Sequence, residues 1–277
     1  MSDKSILITG CSSGIGYQVA HDLHRDGWQV MATCRAQADV DRLTKEGLTS
    51  FRLDYSDPSS VSEGAARALD NTGGRLFALF NNGAFAIPGA VEDLPGDALR
   101  EVFEVNVFGQ FDLIRAVLPA MRRSGRGRII NNSSFLGFVA MPFRGSYVGS
   151  KFALEGLTHT LRQELRGTDI HVSLIQPGPV SSRIRENSAP HFKRWIDWKA
   201  SAQRSVYEAH VLPWLEADET APVRFQRPPS AVTPKLRHAL TARKPRARYF
   251  VTPVPWIVDT LRRVLPARQM DYILSRR

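Results

Sequence analysis

Tyr147 and Lys151 stand four residues apart in Tyr-Val-Gly-Ser-Lys, and Ser134 lies thirteen residues before the tyrosine. Residues at i and i+4 share a helix face, which sets a lysine ammonium beside a phenol. A phenol ionises near pH 10, so alone it is a poor acid at neutral pH; a nearby cation favours phenolate and lowers that value. This describes a proton donor tuned for a carbonyl oxygen. A second motif, Thr9-Gly10-Cys11-Ser12-Ser13-Gly14-Ile15-Gly16, joins an apolar run to a helical stretch. Small residues there let backbone approach a pyrophosphate, whose charge is favoured at a helix N-terminus.

Each motif has a plainer reading. The glycine turn could be a tight strand–helix connection with no ligand, Tyr147 a packed aromatic and Lys151 a solvent lysine. Ser133 competes with Ser134, and adjacent strand residues point to opposite faces. At the end of the second strand, an acid would bind the free ribose 2′-hydroxyl of NAD. Cys34-Arg35 stands there instead, and an arginine suits the 2′-phosphate of NADP. Ser12 could add a hydroxyl donor. Read alone, Arg35 is also compatible with a surface arginine.

The elements that must position these residues alternate between short β-branched runs and longer helical-period stretches. The pattern predicts strands at Ser5–Thr9, Gln29–Cys34, Ser50–Leu53, Leu76–Asn81, Arg128–Asn132, His171–Gln176 and Arg248–Thr252. Between them it predicts helices over Ile15–Arg25, Ser59–Leu69, about Asp97–Arg123, Ser146–Leu165 and Ser230–Thr241. Pro119 suggests a kink or a tightened end in the third of these. Such βαβα alternation indicates a doubly wound α/β fold of the Rossmann type, with one parallel sheet covered on both faces. Residues 1–252 form a single domain in this reading, and 253–277 a basic amphipathic tail. Residues 183–230 are rich in Arg, Pro and aromatics, and leave the sheet edge where a ligand crevice is expected. Phe192, Trp195, Trp198, Tyr207 and Trp214 there suit either local core or a substrate box.

Bulk composition narrows the function classes. The chain has 277 residues, 43% hydrophobic and 23% charged, ordinary for a globular protein. Two cysteines, Cys11 and Cys34, have no metal-ligand company and fit a reducing, cytoplasmic setting. Met-Ser-Asp-Lys runs straight into the first strand, an expectation of no signal peptide, and no apolar run reaches a membrane span. The seven histidines show no metal-like grouping, and His159 reads as surface or interface rather than catalytic. Residues 183–277 hold 19 Lys/Arg against 8 Asp/Glu, so the net charge of +10 lies in the last third. No nucleic-acid-binding motif accompanies it. That leaves an anionic membrane surface or a solvated basic face.

Taken together, residues 5–182 resemble the short-chain dehydrogenase/reductase family. Thr9-Gly10-x-x-x-Gly14-x-Gly16 is similar to its cofactor motif. Asp54 matches the aspartate that contacts the adenine amino group. Asn106 in Asn-Val-Phe-Gly, with Ser134, Tyr147 and Lys151, matches its catalytic tetrad. Pro177-Gly178-Pro179-Val180-Ser181-Ser182 resembles the nicotinamide-side loop, with Ser182 where threonine is usual. The family's Asn-Asn-Ala-Gly reads here Asn81-Asn82-Gly83-Ala84, which leaves Asn81 usable but not a conformation that needs glycine at 84. The Thr-Cys-Arg ending, the Arg-Tyr-Phe-Val-Thr strand and the basic tail look most like NADP-dependent long-chain aldehyde reductases and hydroxysteroid/retinol dehydrogenases.

The resemblance implies hydride transfer between NADP(H) and the carbonyl or alcohol of a hydrophobic substrate. Tyr147 would give the proton, Ser134 hold the oxygen, Lys151 tune the tyrosine and bind ribose, and Asn106 position a water. It implies cofactor contacts from Gly10, Ser12, Ser13, Gly14, Ile15, Gly16, Arg35, Asp54, Asn81, Tyr147, Lys151, Pro177, Gly178, Val180 and Ser182. It also implies a homodimer or homotetramer paired through the long helices. The competing classes are a steroid- or retinol-type dehydrogenase and a catalytically silent NADP-binding regulator. In the tail, Val254, Ile257, Val258, Leu261, Val264 and Leu265 recur at helical spacing, flanked by Trp256, Arg262, Arg263 and Arg268. That stripe either lies on an anionic bilayer or, as apolar helical stripes usually do, packs on the protein itself.

Overall fold

The computed structural model describes residues 4–217 and 224–275. Seven parallel strands are β1 (Ser5–Ile8), β2 (Gln29–Cys34), β3 (Thr49–Arg52), β4 (Ala78–Asn81), β5 (Arg126–Asn132), β6 (Asp169–Gln176) and β7 (Arg248–Phe250). They form one sheet in the order β3-β2-β1-β4-β5-β6-β7. The order reverses between β1 and β4, so a crevice opens beyond their carboxyl ends.

The helices are α1 (Gly14–Arg25), α2 (Gln37–Lys45), α3 (Pro58–Asn71), α4 (Gly96–Phe103), α5 (Gly109–Arg123), α6 (Gly145–Glu164), α7 (Ile184–Trp195), α8 (Arg204–Val206), α9 (Leu212–Glu216), α10 (Thr233–Thr241), α11 (Pro253–Val264) and α12 (Ala267–Ser275). Strand alternation decides which side chains meet which layer. Ile6 and Ile8 pack with Val19 and Leu23 of α1 and Leu236 and Leu240 of α10. Leu7, between them, faces Val61 and Ala65 of α3 and Leu113 and Val117 of α5. Apolar residues on both faces explain why these strands read as continuous apolar runs.

Three differences from the sequence reading have physical causes. The helix expected over Asp97–Arg123 widens into a π turn at Glu104–Phe108 between α4 and α5, while Pro119 lies within α5 and does not end it. The turn carries Asn106, whose amide bonds both backbone groups of Phe85 instead of facing outward. Helix α2 is an addition: its sequence is mostly polar, with Val40 and Leu43 alone buried, so its periodicity is faint. Of the covering-region aromatics, Phe192 and Tyr207 are buried with Phe85, Ile87 and Val102, and Trp195 and Trp198 pack on them. The Tyr207 hydroxyl donates to Asp93 Oδ2 (2.7 Å) and accepts from Ala90 N (2.8 Å), fastening the segment. The part of that region at 218–223 and the last two tail residues lie outside the described residues.

The tail divides into α11 and α12, separated at Pro266. One side of its stripe packs: Val258 is buried with Phe138, Phe250 and Met270, joined by Val254, Leu261 and Leu265. The other side faces outward, with Trp256, Ile257 and Val264 exposed at 57%, 48% and 70%. No helix among the described residues is long and apolar enough to cross a membrane.

Candidate functional site

A cavity of about 910 Å³ opens at the carboxyl ends of the strands. Its base is the turn between β1 and α1. Gly10 and Gly14 sit at φ +68° and +57°, a region L side chains rarely adopt. A Cβ on Gly10 would lie 2.7 Å from Gly83 Cα, and one on Gly16 would overlap the Gly10 carbonyl. Ser13, the N-cap of α1, makes no side-chain cap bond, and no acid occupies the first helical turn. The helix end therefore offers free amides and an uncontested dipole to an anion. Arg42 braces the turn by donating to the Ser12 carbonyl (2.7 Å). These features fit a dinucleotide pyrophosphate.

Of the expected cofactor contacts, Gly10, Ser12, Ser13, Gly14, Ile15, Arg35, Asp54, Tyr147, Lys151, Pro177, Gly178, Val180 and Ser182 line the cavity. Arg35 is exposed at the tip of β2, free to reach a charged group there. Gly16 does not line it; it packs α1 against the turn instead. Asn81 is a correction. It is fully buried, accepts from the Tyr55 hydroxyl (2.6 Å) and donates to Asn131 Oδ1 (3.0 Å). Asn82, one residue on, lines the cavity and donates to the carbonyls of Thr9 and Gly10. β4 ends at Asn81 as expected, and strand alternation turns that last side chain inward while the next one, Asn82, faces the cavity. The Gly83-Ala84 inversion is accommodated: Ala84 has no positive φ, and Gly83 clears the ring of Tyr55.

Across the cavity stand Ser134, Tyr147 and Lys151. Ser133 donates to Glu155 Oε1 (2.7 Å), which occupies its hydroxyl and leaves Ser134 facing the tyrosine. Burial pushes the Tyr147 phenol up to about 12, and the hydrogen bond with Ser134 pulls it partly back. Lys151 is 1% exposed, donates to the Asn132 carbonyl (2.7 Å), and holds its Nζ 5.5 Å from the Tyr147 ring centroid. Burial brings its ammonium down to about 7, and the Glu155 charge opposes that shift. The expected lowering of the tyrosine by the lysine is not found: burial dominates at both groups. The tyrosine keeps its proton at neutral pH, while the lysine exchanges one there.

Asn106 departs from expectation in a different way. Its amide donates to Phe85 O (2.9 Å) and Ser150 Oγ (3.0 Å) and accepts from Phe85 N (3.1 Å), and it does not line the cavity. The side chain secures the π turn; it does not reach toward the lysine. Glu155 was not singled out in the sequence, although i+4 spacing from Lys151 is its signal. Burial raises its carboxyl, against donation from Ser133 and from Gln176 Nε2 (2.7 Å). His159 lies away from the cavity, between Arg162 and Arg248, and burial with those cations lowers it to about 4. The rest of the lining is mixed: Phe85, Val105, Leu136 and Met141 are apolar, while Arg144 at the start of α6 joins Arg185 and Trp214 of the covering segment. Among the covering aromatics named above, Trp214 reaches the cavity and the rest are core.

Residues 4–192 match the family model described as short chain dehydrogenase. The chain is 40% identical over 272 residues to the uncharacterized oxidoreductase YbbO of Escherichia coli K12, covering 98% of this chain and 94% of that one. It is 32% identical to retinol dehydrogenase 16 of Mus musculus, over 90% of this chain and 80% of the relative. A solved short-chain dehydrogenase from Streptomyces avermitilis superposes with a TM-score of 0.77 at 26% identity, over 95% of this chain and 94% of that one.

Proposed function

The chain belongs to the short-chain dehydrogenase family of oxidoreductases, and from that premise we propose that it reduces the carbonyl of a hydrophobic substrate, such as a long-chain aldehyde, with NADPH. The observation that carries this reading is the Ser134–Tyr147–Lys151 group facing a glycine-cradled helix N-terminus across one cavity. NADPH, when bound, supplies the hydride that the carbonyl carbon accepts. The residues supply orientation and a proton. Ser134 hydrogen-bonds the substrate oxygen, and Tyr147 gives that oxygen its proton as the carbon is reduced. Lys151, poised at about 7, replaces the tyrosine proton and offers its ammonium to ribose hydroxyls. A phenol held at about 12 carries its proton at neutral pH and has it to give to the substrate oxygen.

Gly10, Ser12, Ser13, Gly14 and Ile15 hold the pyrophosphate in this account, Asp54 the adenine amine, and Pro177, Gly178, Val180 and Ser182 the nicotinamide side. The preference for NADP rests on Arg35, exposed in the cavity lining where a 2′-phosphate would lie. Arg35→Asp exchanges a charge-assisted phosphate contact for a ribose acceptor. It is expected to weaken NADPH binding by about tenfold or more, at roughly 1.5–3 kcal/mol for such a bond, and to improve NADH use. Equal kinetic efficiency with both nucleotides in the unmutated protein contradicts the assignment. A retinol-type substrate is the second reading, favoured by the likeness to retinol dehydrogenase 16. NADPH consumption over a panel of long-chain aldehydes, ketosteroids and retinal separates the readings, and silence toward all of them leaves a nucleotide-binding regulator. The exposed Phe108, Phe152 and Leu157 on the π turn and α6 supply a pairing face for a homodimer or homotetramer.

A further inference from the structure

The cavity lining holds two neighbouring cations that the proposed proton transfer does not use. Arg144, the N-cap of α6, stands three residues before Tyr147, and Arg185 lies in the first turn of α7. Both line the cavity. Their guanidinium carbons lie 3.6 and 5.5 Å from the ring centroid of the same indole, Trp214. The acids of the cavity lining are turned elsewhere: Asp39 pairs with Arg42, Asp54 accepts from Ser56, and Glu186 pairs with Arg183. Among the described residues, neither Arg144 nor Arg185 has a carboxylate within ion-pair distance. Burial brings the Arg144 guanidinium down to about 10, and the like charge of Arg185 adds to that. Two cations gathered about one indole, with no carboxylate of the described residues beside them, are costly until an anion joins them.

We propose that the cavity takes an amphipathic carbonyl compound whose far end carries an oxyanion, a carboxylate or a phosphate monoester, held between Arg144 and Arg185 beside Trp214. The apolar body then lies along Phe85, Val105, Leu136 and Met141, and the carbonyl meets Tyr147. Guanidinium groups match either oxyanion with paired N–H donors. The proposal rests on the carbonyl-reductase reading of the same site, and it adds a charge to a substrate expected from sequence to be hydrophobic.

The test uses the full chain saturated with NADP⁺, so that the nucleotide's own phosphates occupy their site. Octanoate, octyl phosphate and octanol are titrated by calorimetry into the unmutated protein and into Arg144→Gln, Arg185→Gln and Arg144→Lys. At least one anion should bind about tenfold or more tightly than octanol, the ratio expected from one charge-assisted contact, and the stronger of the two identifies the headgroup. Each glutamine variant should bring that ratio toward one, and Arg144→Lys, which keeps the charge, should retain part of it. Equal binding of octanol and both anions overturns the proposal. So does a ratio unchanged in both glutamine variants, or variants that weaken NADP⁺ and leave the ratio alone. Because binding is read without turnover, an inert protein that still prefers the anion keeps this subsite and loses the reductase reading. A protein that reduces octanal but shows no anion preference keeps that reading and loses this one.

Discussion

Lys151 is held at 1% exposure with one carbonyl acceptor for its ammonium, an arrangement that works against stability. Its proton affinity falls from the ordinary 10.5 to about 7 on folding. The unfolded chain therefore binds the extra proton between those values, and the stability of the native state rises with pH across that window. Below pH 7 both states are charged and the burial penalty is complete. Lys151→Met removes the charge at similar volume. We expect it to raise the midpoint of denaturation of the cofactor-free protein, with the gain larger at pH 6 than at pH 9 by about 2.7 kcal/mol, two pH units at 1.36 kcal/mol per unit. Urea titration at the two pH values checks this, and a gain independent of pH contradicts it. Tyr147, Lys151 and Ser134 were legible because their spacing is set within one helix and one strand end. Asn81 and Asn106 were not: Asn81 turns inward to partners on other strands and loops, Tyr55 and Asn131, and Asn106 sits where a helix widens, and neither is a local pattern. Arg144 and Trp214 come together from segments seventy residues apart, and no local pattern announces that.

At the scale of elements, the β1–α1 turn is tightly constrained. Its length and its glycines follow from how closely α1 and Gly83 approach it, and the sequence displays both as small residues at fixed intervals. Gly16→Ala should push the first turn of α1 off the Gly10 carbonyl, since backbone and not a flexible side chain stands in the way. NADPH affinity, measured by fluorescence titration, should fall by more than about tenfold, or 1.4 kcal/mol, while the sheet folds normally by circular dichroism. Undiminished affinity would mean that the turn has slack the geometry does not show. The strands and α1, α3 and α6 were readable from periodicity because each buries a regular stripe. Helix α2 was not, and the segment of α7–α9 reads as aromatic and basic without a clear period. There the packing of Phe192 and Tyr207 against Phe85 and Val102 decides the structure.

At the scale of the whole molecule, the net charge of +10 lies in the last third of the chain, which ends in the tail. The expectation that the tail packs is met on one side, through Val254, Val258, Leu261 and Leu265. The opposite side leaves Ile257 and Val264, seven residues apart on one face, beside Trp256 and a basic surround. Such a face suits an anionic bilayer. The full chain should co-sediment with phosphatidylserine-containing vesicles at low salt and be released at high salt. Ile257→Asp with Val264→Asp should abolish co-sedimentation without lowering the melting temperature, because neither residue is in the core. A chain ending before Val254 should instead lose stability, since Phe138 and Phe250 would be uncovered. If the full chain never binds vesicles, the tail's role is packing alone.

Tyr147 is the proposed proton donor for a carbonyl reduced by NADPH. The most direct measurement follows NADPH oxidation with a long-chain aldehyde that the unmutated protein accepts, in that protein and in Tyr147→Phe, with NADPH binding measured in both. The account predicts that the phenylalanine variant binds NADPH almost normally and loses well over nine-tenths of the rate, more than about 1.4 kcal/mol of barrier. A variant that keeps more than a tenth of the rate would contradict it, because another group would then have to deliver the proton.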